Sequence, residues 1–245
     1  MIPYERQKKI IELLEDQELL KFDELKEQFD NVSESTLRRD LKALEGKNKI
    51  EYLSGGAIKR RTAVGEIPIE TRTTFNSKEK IKIGEIASKL IEDDDVIYLD
   101  SGSTCTELFK NILDKDITIY TTNTDILSVR GKVTPKIILL AGEFNAVNSS
   151  VSGSFTEEII SNLYFSKSFL GANGIDEEYG ITTPTAAEAR KKNLVRQHSD
   201  EVFLLCDSSK YHKISHVKTF DLENIVVVSD KIDNNINKLV KIITS

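Results

Sequence analysis

Six short apolar runs, each ending in polar or glycine-rich residues, most constrain what this chain can fold into. They are "VIYLD" (96–100), "ITIYTT" (117–122), "KIILLA" (136–141), "KSFLGAN" (167–173), "VFLLCD" (202–207) and "IVVVSD" (225–230). Between several of them lie stretches with helical spacing: "KEKIKIGEIASKLI" before the first, then "TELFKNIL", "TEEIISNL" and "AAEARKKNLVRQHS". Strands apolar on both faces, alternating with helices, predict a mainly parallel sheet covered on both sides. The pattern occupies only the later two thirds of the 245 residues. The first part carries a different period.

In that first part, residues 5–15 place Ile10, Leu13 and Leu14 at helical spacing. A second short helix carries Leu25 and Phe29 four apart, with Asp23 as its expected N-cap. A third begins near Ser33 and meets stop signals at Gly46 and Asn48. "KIEYLSGGAI" then alternates and turns at Gly55-Gly56, the pattern of a small hairpin or wing. The expected organisation is a helical unit with a wing over 1–58, a linker over 59–77 and an α/β unit over 78–245.

Charge separates the same regions. The chain is net acidic, formally -6 at pH 7, yet residues 33–62 hold eight Lys or Arg against four Asp or Glu. Screening limits the reach of exposed charges to about 8–10 Å in physiological salt, so a local basic face acts independently of the net charge. On the third helix, a step of about 100° per residue puts Leu37, Leu41 and Leu44 in one arc. Ser35, Arg38, Arg39 and Lys42 fall opposite. A hydroxyl-and-cation stripe on a helix pinned by leucines suits a DNA major groove, where arginine bonds guanine edges or grips phosphate. Asp40 is expected as an internal ion-pair partner. A solvated helix face is the plainer reading of such a stripe; the preceding helix and the Gly-Gly wing favour DNA.

Four polar motifs follow separate strands: "DSGST" (100–104), "TTNTD" (121–125), "GANGID" (171–176) and "CDSSK" (206–210). Ligands of open α/β sheets bind outside the carboxyl ends of the strands, where these motifs would meet. In "DSGST", Gly102 lets the backbone approach a ligand, and Ser101, Ser103 and Thr104 offer hydroxyls. The following helix aims its first N–H groups at an anion. Asp100 is expected to accept from sugar hydroxyls and Lys210 to balance a phosphate. Each motif also has a purely structural reading: a capped turn, a strand end, or glycines placed for close packing.

Other functions are poorly served. Cys105 and Cys206 match no metal or redox spacing and are expected to be reduced and packed. His212 and His216 lack a third ligand, so no metal or cofactor is expected. The amino-terminal "MIPYERQKK" is charged, and no apolar run approaches the ~20 residues of a membrane helix. A cytoplasmic protein with no membrane partner is the expectation. "NNINKLVKII" reads as a C-terminal docking helix.

The residues "VSESTLRRDLKALEGKNKIEYLSGGA" resemble the N-terminal signature of the DeoR family of bacterial transcriptional regulators. The match falls on Val32-Ser33, Thr36-Leu37, Arg38-Arg39-Asp40-Leu41 and Gly55-Gly56. Ser54 stands where histidine is common in the family. The later part is similar to the family's sensor domain at "YLDSGST", "TTNTDI", "LLAGEFN", "FLGANGID", "GITTP" and "CDSSKY". Leu140-Ala141-Gly142 replaces Leu-Gly-Gly there, and Cys206-Asp207 replaces Ala-Asp. The resemblance implies an N-terminal winged helix-turn-helix and a sensor related to ribose-5-phosphate isomerase and CoA transferases. It implies double-stranded operator DNA and a phosphorylated sugar as partners, assembly as a homodimer or homotetramer, and no catalysis. The "FLGANGID…GITTP" region is most similar to members controlling fructose use, which suggests fructose 1-phosphate.

The DNA-contacting set is then Ser33, Ser35, Thr36, Arg38, Arg39, Lys42, Gly55 and Gly56. The effector set is Asp100, Ser101, Gly102, Ser103, Thr104, Thr122, Asn123, Gly142, Glu143, Asn173, Gly174 and Lys210. The rival is a phosphosugar isomerase with a nucleic-acid-binding appendage, for which Asp100, Glu143 and Glu188 are the available bases. A passive sugar-phosphate binder is a third reading.

Overall fold

A computed structural model describes residues 2–16, 19–29, 32–46, 50–53, 56–60 and 69–244. The chain divides into two compact units, 1–65 and 66–245.

The first unit contains α1 (Pro3–Asp16), β1 (Leu20–Lys21), α2 (Phe22–Glu27), α3 (Glu34–Gly46), β2 (Ile50–Tyr52) and β3 (Ala57–Arg60). The three strands form an antiparallel sheet in the order β1-β3-β2, with Leu20 opposite Ile58 and Ile50 opposite Arg60. The apolar helical positions converge on one core: Ile10, Leu14, Leu25, Phe29, Leu37, Leu41 and Leu44 are all buried, with Ile50 and Ile58 from the wing. The expected cap of the second helix is two residues off. Lys21 is the N-cap and Asp23 lies inside the first turn, because Glu24 reaches back to the Lys21 N–H at 2.9 Å. The Phe22 N–H donates to the Gly56 carbonyl at 3.0 Å, tying the wing to the start of α2.

The second unit opens on α4 (Ile69–Thr74) and α5 (Ser77–Ser88). The break expected over 59–77 is therefore narrower. Lys59 belongs to β3 and 69–74 is helical, which leaves 61–68, outside the described residues. Then follow β4 (Val96–Leu99), α6 (Ser103–Lys110), β5 (Thr118–Thr121), β6 (Lys136–Leu139), β7 (Glu143–Asn145), β8 (Ser150–Ser152), α7 (Ser154–Ile160) and β9 (Phe165–Gly171). After these come β10 (Gly174–Asp176), β11 (Gly180–Thr183), α8 (Ala186–Gln197), β12 (Ser199–Leu205), β13 (Val217–Phe220), β14 (Val226–Val228) and β15 (Lys241–Ile243).

All six apolar runs enter one seven-stranded parallel sheet, ordered β15-β14-β12-β9-β4-β5-β6. A core lies on each face. One packs Ile83, Leu108 and Phe109 of α5 and α6 against Ile97, Leu99 and Phe203. The other packs Val195 of α8 against Tyr98, Leu170 and Leu204. Strand order runs outward in opposite directions from β4 and β9, which makes their carboxyl ends the switch point at which open α/β sheets form a ligand crevice. The expected C-terminal docking helix is instead a short 3-10 turn followed by β15, paired with β14. Its apolar residues Val240 and Ile242 alternate and are buried, so sheet pairing wins over the helical spacing of Ile236 and Val240. Among the described residues no helix is long and apolar enough to cross a membrane.

Candidate DNA-binding surface and effector crevice

Helix α3 presents two unlike faces. Leu37, Leu41 and Leu44 are buried, while Arg38, Arg39 and Lys42 are exposed together with Ser33 and Ser35; Thr36 is half-buried. Ser33 starts the helix, its Oγ accepting the Thr36 N–H at 3.3 Å and lying 2.8 Å from the Thr36 hydroxyl. Asp40 points the other way. It accepts from Arg6 Nε at 2.6 Å and from Gln7 Nε2 at 3.2 Å, so it locks α3 to α1 as an internal ion pair. The Arg38 guanidinium lies 4.1 Å from the Phe22 ring centroid, a cation–π contact that limits its sweep while leaving it outward. Gly56 adopts a left-handed φ of 81°, the conformation a tight wing turn requires. Gly55 lies outside the described residues.

The crevice of the second unit has a closed floor. Asp100, Thr122 and Asn123 have no exposed surface. The Asp100 carboxylate pairs with the Lys192 ammonium and accepts the Gly171 N–H at 3.1 Å, while Lys192 also donates to the Gly171 carbonyl at 2.9 Å. Burial opposes ionisation of Asp100, but the Lys192 and Lys191 charges overcome it and hold the carboxyl below its usual value. Lys191, equally buried, donates to Thr122 Oγ1 and the Val151 carbonyl, both at 3.0 Å. The Tyr98 hydroxyl meets the same Thr122 at 2.9 Å, and Asn123 Nδ2 donates to Thr106 Oγ1 at 3.0 Å. One oxygen of Asp100, Oδ2, thus joins β4, β9 and α8, while Oδ1 is buried with no hydrogen-bond partner among the described residues.

The rim is more open. Ser101, Gly102 and Thr104 are half-buried, Ser103 is nearly closed, and a Cβ added at Gly102 would meet nothing within 4 Å. Backbone N–H groups in the first turn of α6 have no intrahelical acceptor and suit an anion there. Lys210 is half-buried; burial lowers its pKa and the Asp207 charge opposes that shift. Asn173 is half-buried, but Gly174 is a packing residue, since a Cβ there would collide with the Lys213 carbonyl. Gly142 and Glu143 stand elsewhere on the rim. They are exposed and line a cleft of about 380 Å³ with Ser152, Gly153 and Phe155, which none of the other expected effector residues borders.

Sequence reasoning missed Lys191 and Lys192. Their signal is positional: Glu188, Lys191, Lys192 and Val195 follow the i, i+3, i+4, i+7 pattern of one helical face, and Val195 is fully buried. Charges occupy a core stripe. Glu188 accepts from Thr183 Oγ1 at 2.5 Å and Asn148 Nδ2 at 3.0 Å. Of the three bases available to an isomerase, Asp100 and Glu188 carry hydrogen bonds and Glu143 lines the separate 380 Å³ cleft. His212 bridges Glu177 through Nδ1 at 3.1 Å and Asp233 through Nε2 at 2.9 Å. Hydrogen bonds to Asp233 and Glu177 raise its pKa, so this cluster is an ion-pair clasp with both ring nitrogens in use. Both cysteines are free and buried, and burial pushes their thiol pKa values up.

A family profile described as "DeoR C terminal sensor domain" matches residues 75–231, and "DeoR-like helix-turn-helix domain" matches 6–62. The chain belongs to the DeoR family. It is a DeoR-type transcriptional regulator. It is 32% identical over 217 residues to a Bacillus subtilis (strain 168) protein described as an uncharacterized HTH-type transcriptional regulator, FruR, covering 88% of this chain and 86% of that one. It is 31% identical over 247 residues to a lactose phosphotransferase system repressor of Staphylococcus epidermidis (strain ATCC 35984), covering 99% and 97%. Among solved structures, ribose 5-phosphate isomerase A of Methanocaldococcus jannaschii aligns with TM-score 0.40 and 18% identity, over 56% of this chain and about half (55%) of that one. The DeoR-type helix-turn-helix region coincides with the two-faced α3 and its wing, and the sensor match spans α5 to β14.

Proposed function

We propose that this regulator represses a sugar-utilisation operon, reading operator DNA with α3 and releasing or tightening it when a phosphorylated sugar occupies the crevice at the β4 and β9 ends. The observation that carries the DNA assignment is the division of α3: three buried leucines on one side, and Arg38, Arg39 and Lys42 exposed on the other. The Ser33 start offers N–H groups to phosphate, and Gly56 shapes the wing. The names of the Bacillus and Staphylococcus relatives support a sugar-linked role. The half-buried rim of Ser101 to Thr104 with Lys210 supports an anionic effector, and fructose 1-phosphate is the first candidate. Thr122, Asn123 and Asp100 act from the floor by fixing that rim. A homodimer or homotetramer would present paired recognition helices to half-sites about one helical turn apart.

The test uses the full-length protein and a duplex it selects from a random pool. Mobility shifts are recorded with and without fructose 1-phosphate, fructose 6-phosphate, ribose 5-phosphate and galactose 6-phosphate. One sugar phosphate is expected to change DNA affinity by about 5–150-fold, the usual range of such coupling. Selection that yields no preferred duplex removes the DNA reading. A panel with no effect on affinity or melting removes the effector reading.

A further inference from the structure

Helix α4 lies in the stretch that the sequence reads as linker, and its Arg72 holds a donor with no match. The Nε of Arg72 is closed to solvent and meets no acceptor among the described residues. An ionised donor left so costs free energy that a bound anion would recover. The surroundings are arranged to hold charge at that point. The Lys80 ammonium donates to the carbonyls of Arg72 and Phe75, the latter at 2.7 Å. Asn76, left-handed at φ 51°, donates through Nδ2 to Asp207 Oδ1 at 2.9 Å and to Ser209 Oγ at 3.1 Å. The corner between α4 and α5 is therefore bonded to the "CDSSK" loop. On its other side α4 packs on α6, and a cleft of about 730 Å³ opens between Ile69 and Thr73 of α4 and Thr106 and Lys110 of α6.

The positive charge of Arg72 acts on Lys80, on Lys210 and on the Cys105 thiol in the first turn of α6. The Asn76 and Lys80 hydrogen bonds hold the α4–α5 corner that carries Arg72 against the "CDSSK" loop. Burial, with Asp207 opposing it and the Lys210 and Arg72 charges adding to it, lowers the Lys80 pKa to about 8. The Asp207 charge works against the lowering of both the Lys80 and the Lys210 pKa.

We infer that Arg72 is a direct ligand of the effector's anionic group, with Lys80 and Lys210 supplying further charge, so that the corner between α4 and α5 forms one wall of the crevice. This rests on the effector reading above and extends it. A planar fork with a buried, unmatched Nε suits the oxygens of a phosphate monoester, which take paired N–H donors.

The full-length protein is titrated with inorganic phosphate at constant ionic strength, and in parallel with fructose 1-phosphate and ribose 5-phosphate, by calorimetry and melting shift. Arg72→Gln is expected to weaken every phosphate-bearing probe at least tenfold and Arg72→Lys by a smaller factor. Arg190→Gln, which removes an exposed ion pair with Glu157, should bind as wild type does. If Arg72→Gln does not fold, Arg72→Lys decides: at least threefold weakening supports the assignment. Affinity within twofold of wild type for the folded variant overturns it while leaving the effector reading standing. A wild-type protein that selects a duplex but responds to none of the probes overturns both.

Discussion

Removing the Asp100 carboxylate should destabilise the sensor unit before it affects any ligand. Its side chain has no exposed surface, and its partner Lys192 retains 6%. Asp100→Ala leaves that ammonium buried with the Gly171 carbonyl as its remaining described acceptor. Breaking one side of a buried pair costs about 3–5 kcal/mol. In a unit of this size each kcal/mol moves the midpoint by about 2–4 °C, so calorimetry should show the sensor transition about 6–20 °C lower. Asp100→Asn and Lys192→Met should each be destabilising, whereas the double variant, which removes both charges and keeps a side-chain acceptor for the Gly171 N–H, should cost less than their sum. The folded pKa of Asp100 is depressed, so its contribution is present above about pH 3.9 and lost as pH falls through the lower folded value. A melting shift of Asp100→Ala below about 2 °C, or strict additivity in the cycle, would refute the reasoning.

Arg38→Ala with Arg39→Ala should abolish selective duplex binding and reduce the salt slope of residual binding by up to about 2, since each phosphate contact contributes roughly one unit; thermal melting should stay near wild type because both side chains are exposed. Gly84→Ala would push a Cβ to 2.8 Å from the Glu107 carbonyl carbon, where α5 crosses α6, and should cost about 1–3 kcal/mol in urea unfolding. His212 has a raised folded pKa, so its clasp stabilises below about pH 6.5 and weakens as pH rises through the folded value. His212→Gln should therefore lower the melting temperature at pH 6 and converge with wild type at alkaline pH.

The sheet was legible because burial on both faces leaves an unbroken apolar run, as in Val96–Leu99 and Val226–Val228. The recognition helix was legible because Leu37, Leu41 and Leu44 keep helical spacing without interruption. Helix α4 was not, since "IETRTT" joins β-branched residues of low helix propensity to a preceding Pro68, and tertiary contact rather than propensity forms it. Lys191 and Lys192 gave no signal of their own, because lysine is so rarely buried. Only the fold reveals the hydroxyl, carbonyl and carboxylate waiting for them, brought from positions up to 92 residues away. Asp100 stood out by its motif, while its partner Lys192, 92 residues away, was invisible.

Two adjacent lysines on α8 reach different strands: Lys191 toward the end of β5 and Lys192 toward the ends of β4 and β9. One helix therefore rivets three strand ends into a single plate that cannot flex piecemeal. Variants that stay folded but no longer answer to metabolite should accumulate around the border of that plate, while changes within it should be recovered chiefly as misfolded protein.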